Sequence, residues 1–449
     1  MNTSHLIKPV LNGNYPVVSY GEGIYLYDEE GKQYLDGCSG AVTASIGHGV
    51  QEVIDAIYEQ GKKVAFVYRS QFTNKPAELL AEKIVNLLNH QLNWVFFVNS
   101  GSEATETALK IAIQYWQEKG DDKKTKIISR WISYHGITMG ALSMSGHPIR
   151  RSRFTSLLED YPLLNPPYCY RCPYNQSYPT CQLMCAEELE KIILRIGPEH
   201  IAAFIAEPII GAAGAAITPP EGYYETIYNI CKKYNILFIA DEVMTGCGRT
   251  GKMLSLEHWG VVPDIVALGK GLSAGYAPLA ATVVKQEIFE TIQKGSNLIM
   301  SGHTLSANPL STAAGLAVLK FMEKHQLFEA VLEKGAYLMT KLKEKTEGSK
   351  TIGDIRGKGL LVGVELVFDR KTKQPFKREL NATEKLVQKS KEKGLLIYPS
   401  NTGIDGVHGD AVIIAPPLTI TKEEIDVLID RFCLGLKDFE QDILKIDID

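Results

Sequence analysis

The sequence predicts an α/β protein with a large three-layer α/β/α domain, built on a mostly parallel sheet, and a smaller α+β domain. Three observations support this fold class. Short runs rich in β-branched residues alternate with longer helical patterns over residues 65–320. Most of these runs are apolar on both faces, as a sheet covered by helices on each side requires. The length of 449 residues fits two to three domains of about 150 residues each.

Six apolar runs are predicted to be the strands of the large domain. Helical patterns separate them, for example from Ser102 onward and over residues 221–235. This order of elements favours repeated strand–helix–strand units and therefore parallel pairing. The predicted strands cover residues 94–98, 125–130, 202–208, 236–243, 264–270 and 280–284.

The predicted domain limits follow changes in this pattern. Residues 1–64 contain a hairpin pattern over 23–37 and are expected to join the small domain. Residues 65–320 form the large domain. Residues 321–449 complete the small domain, beginning with helix and continuing with strands at 359–366, 394–399 and 411–417.

The composition excludes several classes of protein. Hydrophobic residues make up 45% of the chain and charged residues 22%, which is typical of a globular protein. A net charge of −4 provides no basic field for nucleic acid or an anionic membrane. No run reaches the roughly 18 apolar residues of a transmembrane helix, and the start lacks the pattern of a signal peptide. We therefore expect a cytoplasmic location, with the eight cysteines as thiols or metal ligands rather than disulfides.

A small-residue turn at residues 99–104, Asn-Ser-Gly-Ser-Glu-Ala, joins an apolar strand to a helix. Such a junction points backbone N–H groups and the positive end of the helix dipole at an anion. Gly101 permits close approach, and the Ser102 hydroxyl can donate a hydrogen bond. The alternative is a helix-capping turn without a ligand, since serine is common at that position.

Three ionisable residues stand at the ends of predicted strands. Glu207 and Pro208 end the strand predicted at 202–208, Asp241 closes Ile-Leu-Phe-Ile-Ala, and Lys270 lies between two glycines after Asp-Ile-Val-Ala-Leu. Ligands of open α/β sheets bind beyond the carboxyl ends of the strands. An acid, a lysine and an anion site at that edge suit a phosphorylated aldehyde with a cationic ring, which describes pyridoxal phosphate.

Together these motifs resemble the class III, fold-type-I aminotransferases that depend on pyridoxal 5'-phosphate. The resemblance covers nearly the whole chain in the family's order. It rests on segments at residues 22–40, 99–110, 133–136, 206–211, 240–251, 263–281, 302–309 and 354–366. The segments Ala-Asp-Glu-Val…Gly-Arg-Thr-Gly and Leu-Gly-Lys-Gly-Leu-Ser are the most specific.

The resemblance implies a role for each matching residue. Lys270 is similar to the Schiff-base lysine, whose freed amine then moves a proton, and Asp241 to the acid that pairs with the pyridinium nitrogen. Residues 1–64 would contribute to the active-site entrance. The other implied cofactor contacts are the phosphate cup (Gly101 and Ser102), the two faces of the ring (Tyr134 and Val243), Glu207 beside the ring, and Thr304 from the partner subunit of a homodimer.

Three positions depart from the ornithine and GABA aminotransferases, which hold the α-carboxylate with an arginine. Ile413 takes the place of that arginine, Ala212 the place of the glutamate that pairs with it, and Met244 the place of a glutamine. These departures resemble the ω-amino acid or amine:pyruvate branch.

The residue that binds the substrate carboxylate stays open. Val42 stands where that branch often has a pocket tryptophan, and Gly406 where it often has a mobile arginine. Arg69 and His408 are further candidates for the substrate pocket, with a solvated surface role as the alternative for each.

Four cysteines are grouped in a segment rich in proline, tyrosine and asparagine. Cys169 and Cys172 are followed by Cys181 and Cys185. This spacing could hold a structural zinc ion, and a reduced thiol cluster is the alternative.

The predicted function is transamination through Lys270, with pyridoxal 5'-phosphate as cofactor. The amino group would pass from an amine, ω-amino acid or amino acid donor to a keto acid, with pyruvate favoured over 2-oxoglutarate. An amino-acid epimerase or decarboxylase of the same fold is the alternative, because those families share the equivalents of Lys270 and Asp241.

Overall fold

A computed structural model of the chain describes residues 5–401 and 408–445. Its strands are β1 Val18–Glu22, β2 Tyr25–Asp28, β3 Gln33–Asp36, β4 Trp94–Val98, β5 Lys126–Arg130, β6 Leu163–Leu164, β7 Ile201–Ala206, β8 Leu237–Asp241, β9 Ile265–Leu268, β10 Ala280–Val284, β11 Ile352–Lys358, β12 Leu361–Leu366, β13 Leu395–Leu396, β14 Tyr398–Ser400 and β15 Asp410–Ile414.

The helices lie between and around these strands. They are α1 Ser39–Val42, α2 Gln51–Lys63, α3 Lys75–Leu87, α4 Gly101–Glu118, α5 Met139–Met144, α6 Pro148–Arg151, α7 Met184–Ile196, α8 Tyr223–Lys233, α9 Gln286–Lys294, α10 Pro309–Lys324, α11 Leu327–Thr346, α12 Ala382–Glu392 and α13 Lys422–Ile443. Within the described ranges, no helix is long and apolar enough to cross a membrane.

The large sheet has seven strands in the order β4-β10-β9-β8-β7-β5-β6. Strand β10 runs antiparallel to β4 and β9, and the remaining pairs are parallel. All six strands predicted for the large domain belong to this sheet, which confirms the mostly parallel α/β prediction. The two-residue strand β6 was not predicted.

Most strands of this sheet are apolar on both faces because helices cover both faces. In β8, Ile239 lies in the apolar cluster that includes α4 and α9, and its neighbour Phe238 lies in the cluster that includes α8. Successive side chains of a strand point to opposite faces, so each face receives half of every run. The carboxyl ends of β7, β8 and β9 therefore meet at one edge of a rigid, buried sheet.

Two smaller sheets contain the rest of the strands. One joins the N-terminal strands β1, β2 and β3 to β13, and the other has the order β11-β12-β15-β14. The sequence predicted one strand at 394–399, which is wrong: β13 pairs with β3, whereas β14 pairs with β15 in the other sheet. The domain limits at 64/65 and 320/321 stay predictions.

Glu242 follows β8 and gives the fold an expected dependence on pH. Its side chain is 1% exposed and accepts hydrogen bonds from Thr245 Oγ1 at 2.5 Å and Leu256 N at 2.9 Å. Burial outweighs these bonds and raises the pKa of Glu242 to about 7. The folded protein then binds a proton that the unfolded chain releases, so the free energy of unfolding should fall as pH rises from about 5 to 8.

The size of this effect is expected to be on the order of 3 kcal/mol, since each unit of pKa corresponds to about 1.4 kcal/mol. The substitution Glu242→Gln should remove that part of the pH dependence. Urea unfolding of both proteins at pH 5 and pH 8 measures it. An equal loss of stability in the native protein and the variant would contradict the prediction.

Candidate active site

A cavity of about 150 Å³ lies where β7, β8 and β9 end beside the first turn of α4. Its lining residues come from strand ends and from the two loops that face them. They are Gly101, Ser102, Tyr134, His135, Gly136, Glu207, Ala212, Asp241, Val243, Met244 and Lys270. The structure thus brings together seven of the eight residues predicted to contact a cofactor.

The first turn of α4 opens towards the cavity. Ser100 caps the helix by accepting from Glu103 N at 3.2 Å, and the Glu103 carboxylate accepts from Asn99 N at 2.7 Å. The capping and anion-binding interpretations of this turn are therefore compatible. A Cβ on Gly101 would lie 2.8 Å from Val243 Cγ1, so only glycine lets the helix start approach this side chain. The 18-residue helix directs its positive dipole end at the cavity.

Asp241 ends β8 and is 4% exposed. Its Oδ2 lies 2.8 Å from His135 Nδ1, and its Oδ1 accepts a hydrogen bond from Val243 N at 3.1 Å. These two contacts fix the orientation of the carboxylate inside the cavity. The opposite ring nitrogen of His135, Nε2, is buried and has no hydrogen-bond partner among the described residues.

Lys270 follows β9 with a positive φ of 39°, after Gly269 in extended geometry. This reversal directs the side chain back to the sheet edge. Burial lowers the pKa of Lys270, because removal from water disfavours the ammonium ion. The carboxylates of Asp241 and Glu207 act in the opposite direction. The lysine is thereby shifted towards the uncharged amine that nucleophilic and base chemistry requires.

Glu207 follows β7 and is 5% exposed. Its two carboxylate oxygens accept hydrogen bonds from Tyr134 N and Gly211 N, each at 2.9 Å. Burial raises the pKa of Glu207, and these backbone donors oppose the shift. Glu207 therefore holds the backbone of Tyr134 in place at the wall of the cavity.

The residues around the cavity fit a phosphorylated, aldehyde-bearing aromatic cofactor. A helix N-terminus with Ser102 supplies anion donors, Lys270 supplies a primary amine, and Asp241 supplies a fixed carboxylate. A Cβ on Gly136 would lie 2.6 Å from Ser102 Oγ, so the Tyr134 loop reaches the helix start only with glycine at this position. This donor set matches the phosphate, the aldehyde and the ring nitrogen of pyridoxal phosphate.

The family model described as Aminotransferase class-III matches residues 11–435. This chain is a class III aminotransferase. It is 55% identical to the uncharacterized aminotransferase YodT of Bacillus subtilis, over 99% of this chain and 100% of that protein. It is 36% identical to adenosylmethionine-8-amino-7-oxononanoate aminotransferase of Geobacter sulfurreducens, over 92% and 90% of the two chains.

A solved structure supports the same conclusion for the fold. The thermostable (S)-enantioselective omega-transaminase from Thermomicrobium roseum is similar with a TM-score of 0.91 and 37% identity, over 97% of this chain and 96% of that chain. The class III aminotransferase described here is therefore a fold-type-I enzyme that catalyses transamination with pyridoxal 5'-phosphate, as its sequence motifs predicted.

The eighth predicted cofactor contact of this aminotransferase lies elsewhere. Thr304 is exposed and does not line the cavity of its own subunit. This position agrees with the prediction that Thr304 serves a partner's site, which stays untested.

The substrate-pocket candidates have different surroundings. Val42 is 2% exposed and belongs to the apolar cluster of Met244. Arg69 donates to Ser301 O at 2.8 Å, and His408 lines a separate cavity of about 140 Å³. Neither Arg69 nor His408 lines the active-site cavity. The fourth position, Gly406, lies outside the described residues.

Two neighbours of the aminotransferase site carried no clear sequence signal. His135 is buried, and it pairs with Asp241, a residue 106 positions away in the sequence. Arg150 lies in a run of three arginines within four residues, which reads as a charged surface. Its guanidinium carbon lies 4.5 Å from the centroid of the Tyr134 ring.

The four grouped cysteines line one small cavity of about 20 Å³ together. All eight cysteines of the aminotransferase are unpaired. Within residues 5–401 and 408–445, no group of three or more histidine, cysteine or acidic side chains is arranged to hold a metal ion. The zinc site at Cys169, Cys172, Cys181 and Cys185 stays a prediction, with the reduced thiol cluster as its alternative.

Proposed function

We propose that this aminotransferase moves the amino group of an amine, ω-amino acid or amino acid donor to a keto acid, with pyruvate as the preferred acceptor. One observation carries the proposal: Lys270 and Asp241 meet the start of α4 in a single cavity at the sheet edge. The groups proposed to bind the aldehyde, the ring nitrogen and the phosphate of the cofactor thus lie together in one cavity.

Lys270 and Asp241 are the proposed catalytic residues. Bound pyridoxal phosphate supplies an aldehyde that accepts the amine and a ring that takes up electrons. Asp241, oriented by His135, offers its carboxylate to the protonated ring nitrogen. The buried Lys270 amine removes the proton from the substrate carbon that bears the amino group.

The remaining cavity residues hold the cofactor in this proposal. Gly101 and Ser102 bind the phosphate at the helix start, Tyr134 stacks on one face of the ring, and Val243 packs on the other. Glu207 acts through the backbone of Tyr134, which it holds by a hydrogen bond.

The preference for amine or ω-amino donors is supported by the cavity wall. Ala212 and Met244 line it, and Ile413, in β15, is fully buried in the apolar cluster behind them. These residues supply no charge for an α-carboxylate. The similar Thermomicrobium roseum enzyme is described as an (S)-enantioselective omega-transaminase, which agrees with this preference.

A homodimer with shared active sites is also proposed, with Thr304 reaching the partner's phosphate group. Thr304 lies in an exposed segment with large apolar side chains, among them Met300 at 65% exposure and Leu305 at 52%. Exposed apolar patches of this kind mark protein interfaces. Light scattering should give twice the mass of the chain; a monomer would contradict the proposal.

A cytoplasmic location is also proposed. It is supported by the eight unpaired cysteines, because thiols stay reduced in that compartment.

The test is a panel of amine donors with pyruvate or 2-oxoglutarate. Transamination with pyruvate yields alanine and leaves pyridoxamine phosphate when the acceptor is omitted, which the absorbance spectrum reports. Racemised donor without alanine would favour the epimerase alternative, and carbon dioxide release would favour the decarboxylase. Faster turnover with 2-oxoglutarate would overturn the preference for pyruvate.

A further inference from the structure

We propose that Arg150, which does not line the cavity itself but lies over the ring of Tyr134 in its wall, binds the carboxylate of the keto acid acceptor and of any donor that carries one. The inference rests on the proposed function and adds the residue that recognises the acidic substrate. The sequence left the residue that binds the substrate carboxylate unassigned, with Arg69 and His408 among the candidates.

Arg150 lies next to a wall of the cavity. Its guanidinium carbon is 4.5 Å from the centroid of the Tyr134 ring, and Tyr134 lines the cavity. The backbone of Tyr134 is fixed to Glu207. Burial is the main cause of the lowered pKa of Lys270, and the positive charge of Arg150 acts in the same direction, so the two cations are within electrostatic reach of each other.

The neighbouring residue shows that α6 is anchored independently of Arg150. Arg151 donates from one nitrogen to the backbone oxygens of Leu142, Ser143 and Ser145 at 3.0, 2.9 and 2.9 Å. In the part of the chain that the structure describes, the Arg150 side chain makes no ion pair and no hydrogen bond. Its guanidinium group makes a cation–π contact with the ring of Tyr134. Arg150 is thus exposed, it contacts Tyr134 on one side, and its N–H groups are available to an anion.

Three other arginines already have partners. Arg130 donates to Glu207 O at 2.5 Å, Arg356 to Glu365 Oε2 at 2.6 Å, and Arg69 to Ser301 O at 2.8 Å. Each would have to break a hydrogen bond to reach a substrate. Arg150 would not.

The chemistry of guanidinium matches a carboxylate next to a carbonyl group. Its planar fork donates two parallel hydrogen bonds to one carboxylate, and it stacks on an aromatic face with its edge free. Stacking on Tyr134 leaves that edge available. A 2-keto acid such as pyruvate would be held by its carboxylate, with its carbonyl carbon directed into the cavity.

The test compares Arg150→Ala and Arg150→Lys with Arg153→Ala, a control that removes an exposed arginine just outside α6. With a carboxylate-free amine as donor, Arg150→Ala should raise KM for pyruvate about tenfold or more, as expected for loss of a charge-assisted pair, with little change in kcat. KM for propanal, an acceptor without a carboxylate, should not change. Arg150→Lys should fall between the native protein and Arg150→Ala, and Arg153→Ala should match the native protein.

A binding measurement makes the result independent of turnover. Calorimetric titration of the holoenzyme with propionate should give a Kd weakened about tenfold in Arg150→Ala and unchanged in Arg153→Ala. Native KM for pyruvate and native Kd for propionate in Arg150→Ala would overturn the inference. If no donor yields alanine with the native enzyme, the proposed function fails, and the propionate comparison still decides for or against Arg150.

Discussion

Replacement of Lys270 by alanine should lower turnover by at least about 10³-fold. The variant would lose both the amine that binds the cofactor's aldehyde and the base that transfers the proton. The visible absorbance that develops when pyridoxal phosphate binds to the lysine should be absent as well. Steady-state kinetics and a spectrum of the protein mixed with the cofactor measure the two effects. Normal turnover in this variant would overturn the assignment of Lys270.

Lys124 provides a matched control for that experiment. It is a buried lysine, 6% exposed, and its amine donates to backbone oxygens of Pro198, Ile201 and Asn235 at 3.2, 3.2 and 2.8 Å. It precedes β5, at the opposite edge of the sheet from the cavity. Lys124→Ala should lower the melting temperature while keeping kcat and the visible absorbance.

The substitution Asp241→Asn is expected to lower kcat about 10²- to 10³-fold, the usual cost of removing one preorganised electrostatic partner from an active site. Asparagine can keep hydrogen bonds to His135 and Val243, so the geometry should persist while the negative charge is lost. The carboxylate of Asp241 would raise the pKa of the cofactor's ring nitrogen and keep it protonated, whereas the neutral amide of asparagine would not. Because Lys270 is intact, the visible absorbance should remain.

The control for this variant is Asp264→Asn. Asp264 is also buried, 3% exposed, and pairs with Lys232 and Lys285 at 2.9 Å each, away from the cavity. Its neutralisation should lower the melting temperature, because the buried carboxylate loses its charge pairing with two partly exposed lysines, and should leave kcat unchanged. Equal kcat losses in the two variants would mean that Asp241 has no special role.

The large sheet was predictable because its signal is local. The runs 94–98 and 280–284 match β4 and β10 residue for residue. Every position of β10 is buried, and the edge strand β4 is buried at the end that leads into α4. The pairing of the short strands was not predictable. The segment 394–399 divides between two sheets, and its partners β3 and β15 lie on opposite sides of it in sequence and are chosen by packing.

The sequence by itself determined the cofactor, the type of reaction and the residues at the strand ends. Lys270, Asp241 and Glu207 could be found because parallel strands must finish at one edge, so that a local pattern fixes their neighbourhood. Family membership over residues 11–435 confirmed the reaction.

Only the tertiary structure decided the contacts between side chains from distant segments. Three such contacts shape the site: His135 pairs with Asp241, Glu207 accepts a hydrogen bond from the backbone of Tyr134, and Arg150 lies over the ring of Tyr134. Each joins residues from separate segments of the chain. Sequence spacing carries no information on such contacts, because they depend on how loops cross the sheet edge.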